Sequence, residues 1–140
     1  MRQSWIAELE ENHRDHEAIL AGVIASLRAA EPDVRGARSA AARLHTDLHL
    51  HVAYAQEVLG PWAERLLADG AVVRARMEQD HDVLQAALTA ARYALHLRAI
   101  DKALQQFEAL ADGLRRHTAW EQALSLRLRQ ARKARTASGS

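Results

Sequence analysis

Cysteine is absent from all 140 residues, so the chain can form no disulfide and offers no thiolate to a metal. Any metal site has to be built from histidine, carboxylate, tyrosine or water. Proline occurs twice and glycine six times, too sparsely for a turn-rich β fold. Aromatic residues make up only 4% of the chain, with a single phenylalanine, so aliphatic side chains must fill the core. No apolar run is long enough to span a membrane. The opening stretch MRQSWIAELEENH turns amphipathic and acidic at once and lacks the basic and then apolar regions of an export signal. A cytoplasmic location is the resulting expectation. An excess of one charge is missing too: 19 basic and 18 acidic residues nearly cancel, leaving no global field to gather nucleic acid. The basic run Arg127, Arg129, Arg132, Lys133 and Arg135 reads as cations favouring the negative end of a helix. Gly-rich phosphate loops, zinc-finger spacings and serine or cysteine nucleophile constellations are also lacking.

What remains is rich in Ala, Leu, Arg, Glu and Gln, a helical composition. Apolar residues recur at helical spacing in four segments. The first runs from about Ser4 to Ala30 with Trp5, Leu9, Leu20, Val23 and Leu27 on its stripe, and stops at Glu31-Pro32. The second, from about Val34 to Leu59, carries Leu44, Leu48 and Val58 and should end or kink at Gly60-Pro61, with Trp62 to Ala68 as a short continuation. A third begins beyond Asp69-Gly70 with Met77, Leu84, Leu88 and Leu95. The fourth, from about Ala99 to Ala131, carries Phe107, Leu110, Leu114, Leu124 and Leu128. Short connections make neighbouring helices antiparallel, so the expected fold is an all-α, up-down four-helix bundle over residues 1–135, with a disordered tail at 136–140.

A helix advances about 100° per residue, so each histidine can be placed against its own apolar stripe. His16 falls on the stripe of Leu9, Leu20 and Leu27, with His13 at its edge. His51 shares the stripe of Leu44, Ala55 and Trp62, whereas His45 lies at the margin and His49 nearly opposite. His81 sits between Met77 and Leu84, and His117 and Glu121 lie one turn apart on the stripe of Leu114 and Leu124. Every helix therefore sends at least one imidazole inward. Each buried polar group left without a partner costs roughly 1–3 kcal/mol, and a metal accepting their lone pairs removes that cost for the whole set. Bundle-core metal sites take Glu and His from facing helices in this manner.

The pieces DHEAIL with His16, HLHVAYAQEVLGP with His51, EQDHDVL with His81, and RRHTAWEQAL with His117 and Glu121 together resemble the hemerythrin-like, or HHE cation-binding, family. Its order is His on helix one, H-x-x-x-E on helix two, His on helix three and H-x-x-x-E on helix four. The resemblance covers nearly the whole chain. It implies iron as cofactor, in an oxo- or hydroxo-bridged pair, held by His16, His51, His81, His117 and Glu121. The ligands it implies are dioxygen, peroxide or nitric oxide. Zinc or manganese would suit the same donors. One departure stands out: the glutamate expected four residues after His51 is Ala55, and neither Gln56 nor Glu57 lies on the stripe. Tyr54, His13, Asp47 or water could occupy the gap.

Two function classes follow. The first is a non-haem di-iron protein that binds or reacts with a small oxygen or nitrogen ligand, fed by an unidentified electron donor. The second is a sensor or interaction module with a single zinc or iron ion, or a degenerate site. Trp120 beside Glu121 is expected to shield the centre from water. Surface leucines such as Leu50 allow a monomer or a weak homodimer.

Overall fold

The computed structural model describes residues 4–138, with side chains from residue 7 onward, so the Trp5 side chain and residues 139–140 lie outside the described part. Four helices account for nearly all of it: α1 (Ser4–Arg28), α2 (Val34–Leu66), α3 (Gly70–His96) and α4 (Ile100–Ser138). Each packs on its neighbour in sequence, α1 closes the ring against α4, and α2 touches α4 across the diagonal. No strand occurs among the described residues. None of the described helices is long and apolar enough to cross a membrane.

Local chemistry sets the ends. Asp33 caps α2, its carboxylate accepting from the Gly36 amide at 2.9 Å. Between α2 and α3 the chain turns so tightly that a Cβ on Gly70 would stand 2.1 Å from the Ala63 carbonyl oxygen, which restricts the position to glycine. The α3–α4 turn has no glycine, and Arg98 takes the left-handed conformation instead, at φ 58°. The Ala99 amide then reaches back to the Ala94 carbonyl at 3.0 Å, closing the end of α3.

Of the two alternatives expected at Gly60-Pro61, an end or a kink with a short continuation, the end does not occur, and α2 runs through Pro61 to Leu66. The missing amide donor is offset by Trp62 and Leu66, which pack on the core beyond the proline, and by an Arg74–Glu64 ion pair at 3.2 Å. At the other end, α4 continues past Ala131 to Ser138, so Thr136–Ser138 are helical where a disordered tail is expected. The extension stays exposed, but Arg135 donates to the Arg65 carbonyl at 3.3 Å and Arg132 lies 5.4 Å over the Trp62 ring. Arg127 pairs with Asp69 at 2.8 Å. The basic run thus straps α4 to the far end of α2 and to the turn after it.

The apolar core is divided in two. One cluster gathers Leu20, Val23, Leu44, Leu48, Leu88, Phe107 and Leu110; the other gathers Leu9, Ala55, Leu59, Met77, Leu124 and Leu128. On every helix the buried histidines fall between members of the two: Leu9 and Leu20 flank His13 and His16, Leu48 and Ala55 flank His51, Met77 and Leu84 flank His81, Leu114 and Leu124 flank His117 and Glu121. A polar layer therefore cuts across the bundle. Each leucine buried in its place would have stabilised the fold by roughly 1.5–3 kcal/mol, so the layer carries a cost in stability.

Candidate metal centre

Five histidines and one glutamate form this layer, and all six are buried. Their places follow from helical phase. On α2, Leu44, Leu48, His51 and Ala55 share the buried face, while His45 and His49 are exposed. His96 ends α3 in solvent, 3.3 Å from the Arg38 guanidinium, which donates to its Nδ1.

Glu121 is the hub. Its Oε1 lies 2.8 Å from His51 Nε2 and 3.1 Å from His13 Nε2. Its Oε2 lies 2.6 Å from His117 Nε2 and 3.5 Å from His81 Nε2, and these two imidazole nitrogens are 3.1 Å apart. Two groups result, His13–His51–Glu121 and His81–His117–Glu121, each compact enough to hold a metal ion and each using a different oxygen of the same carboxylate. Neighbouring ligand atoms around an ion with bonds of about 2.1 Å sit about 3 Å apart, so the donor spacing suits an ion in either group.

His16 stands outside both groups. Its ring meets His51 edge-on at 5.4 Å between centroids, and it is buried. Its Nδ1 has no hydrogen-bond partner, nor do the Nδ1 atoms of His13, His51 and His81. Only His117 has its second nitrogen partnered among the five: Nδ1 donates to Asp80 at 3.4 Å. Asp80 was not legible as a site residue, although it directly precedes His81 in a strongly polar stretch. The His117 ring also stacks on Trp120 at 5.8 Å, and the Arg76 guanidinium lies over that indole at 5.0 Å. Tyr54 is half-buried against the Ala55 cluster and shares with Asn12, Asp15, His16, Asp47 and His51 the wall of a cleft of about 360 Å³ between α1 and α2.

The electrostatics match a site short of positive charge. Burial works to raise the Glu121 pKa, but hydrogen bonds from His117, His13, His51 and His81 outweigh it and hold the carboxyl well below its usual value. Burial likewise works to lower His117, and Glu121 and Asp80 together reverse it, leaving the imidazole raised. For His16 burial first, then His51 and His13, outweigh the charge and backbone hydrogen bond of Asp47 and push it down to about 4. The Tyr54 phenol is raised by burial and by the nearby Glu8, so it keeps its proton.

A sequence model of the hemerythrin HHE cation binding domain matches residues 5–128, from α1 through the last buried turn of α4. The chain belongs to the hemerythrin HHE family. Curated proteins and solved structures give no match. This hemerythrin HHE domain thus carries buried His and Glu groups able to hold metal. Of the residues expected at the site, the structure brings His13, His51, His81, His117 and Glu121 into contact and leaves His16 and Tyr54 on the cleft side. Ala55, one turn after His51 on the same face of α2, is wholly buried.

Proposed function

We propose that this hemerythrin HHE domain holds two iron ions bridged by Glu121, and that the pair binds or reacts with dioxygen, peroxide or nitric oxide. The observation that carries the reading is the division of Glu121: each carboxylate oxygen faces its own pair of imidazoles. His13 and His51 would hold one ion, His81 and His117 the other. Buried imidazole and carboxylate donors suit iron, manganese and zinc, and iron is the member of that set whose family role fits a small-molecule ligand. Bound there, a redox-active pair supplies electrons and an open coordination position for the small ligand.

The protein's own groups set the conditions. Asp80 accepts from His117 Nδ1 and so fixes the tautomer that leaves Nε2 free to ligate. Met77, Leu84 and Leu114, all buried, exclude water on the α3 and α4 side, with Trp120 closing that flank. The cleft between α1 and α2 is the wet side. There the Tyr54 hydroxyl holds a proton it can donate, and burial keeps the His16 imidazole neutral.

Metal analysis of protein purified without added metal, paired with its visible and near-ultraviolet spectrum before and after nitric oxide or peroxide, tests the reading. Iron near two ions per chain, with a charge-transfer band that changes on ligand addition, is the expected result. A second reading, a single zinc or iron in a sensor or interaction module, is favoured by Ala55 and gives a colourless or one-ion protein instead.

A further inference from the structure

The donor count of this site differs from the family pattern in two places at once. At position 55 a carboxylate is lost to an alanine that is fully buried among Leu9, Leu59 and Met77. On α1 an imidazole is gained, because His13 and His16 are both buried at the polar layer where the pattern has one histidine. The two changes meet on the same ion. His13 and His51 share Glu121 Oε1, and both His13 and His16 contact the His51 ring, at 5.1 and 5.4 Å between centroids. His16 Nδ1 is a buried nitrogen with no partner, an arrangement that costs stability unless something accepts or donates there.

Resting on the two-ion reading above, we propose that α1 supplies two nitrogen donors, His13 and His16, to the ion it shares with His51, and that the extra imidazole makes up for the carboxylate missing at Ala55. The centre then has five imidazoles and a single carboxylate. Three nitrogens with Oε1 serve the ion on the α1 and α2 side, and two nitrogens with Oε2 serve the ion on the α3 and α4 side. Exchanging an anionic donor for a neutral one also leaves the ions with one compensating charge fewer, which favours the divalent over the trivalent state.

Cobalt(II) is a suitable probe, since its visible bands report coordination and no turnover is needed. Titration of the metal-free full chain should show two cobalt ions per chain. His13→Ala and His16→Ala should each weaken one of the two binding events by about tenfold or more, the scale on which lost ligand support lowers metal affinity. Adding Ala55→Glu should restore the affinity of at least one of these variants and should fail to restore His81→Ala, whose lost nitrogen belongs to the other ion. His16→Asn, which keeps a polar side chain of similar size, should behave as His16→Ala if the imidazole nitrogen is a ligand; helicity is followed throughout. Two cobalt ions bound with unchanged affinity in both His16 variants would overturn the inference and leave the two-ion reading standing. So would weakened binding that Ala55→Glu restores in neither α1 variant. Fewer than two cobalt ions on the unmodified chain would overturn both.

Discussion

Ala55 and Glu121 occupy matching places on facing helices: each follows a buried histidine by four residues, and each is fully buried. Only one of the two carries a carboxylate. The whole negative charge of the layer therefore rests on Glu121, and every imidazole within reach is turned toward it.

Glu121→Gln keeps the shape of that side chain and removes its charge. Metal affinity at both positions should fall on the order of 100-fold or more, beyond what loss of a supporting group alone produces. Equilibrium dialysis with zinc or cobalt measures it. Unchanged affinity at both positions would mean that the Glu121 carboxylate holds neither ion.

His81 and His49 give a contrast between inside and outside. His81 is fully buried, whereas His49 is exposed on α2. His81→Ala should strip most of the metal, and His49→Ala should leave it near the unmodified level. Equal losses in two folded variants would contradict the helical phase assigned to the histidines.

The inward phase was legible because helical periodicity acts on every residue of a long helix, and four apolar stripes fixed which histidines shared them. Ala55 was placed in the core by the same arithmetic. His13 was harder, since an edge position on a stripe can face either way, and only packing against α2 and α4 brings its Nε2 to Glu121. Asp80 could not be read in advance, because its role depends on where His117 of another helix points. Helix ends were the weakest part. Pro61 and the α4 tail are decided by tertiary partners, Trp62 and Leu66 in one case and Arg65 in the other, that local propensity does not encode.

Arg98 offers a test of the fold that leaves the site alone. At φ 58° it sits where a side chain is strained, so Arg98→Gly should stabilise the protein by up to about 1 kcal/mol, the relief being partly offset by glycine's larger unfolded entropy. A rise in thermal midpoint with unchanged helicity is expected; a fall would show that the Arg98 side chain contributes more than its backbone costs.

His16 predicts the pH response of the metal-free chain. Its pKa in the fold, about 4, lies below the ordinary 6.5, so below pH 6.5 the unfolded chain takes up a proton that the folded chain refuses. Its contribution to stability is full above pH 6.5, declines as pH falls toward about 4, and flattens below that, a loss on the order of 3 kcal/mol in total. Urea denaturation of the metal-free protein across that range, against His16→Asn, isolates the effect. Parallel pH profiles for the two proteins would show that His16 is protonated as readily in the fold as out of it.

The central claim is that one carboxylate organises two ions, and anaerobic titration of the metal-free protein with iron(II), read by metal analysis after desalting, tests it most directly. The account predicts retention of two iron ions per chain, with Glu121→Gln losing both. Retention of one ion, or of iron in Glu121→Gln at the unmodified level, would contradict it.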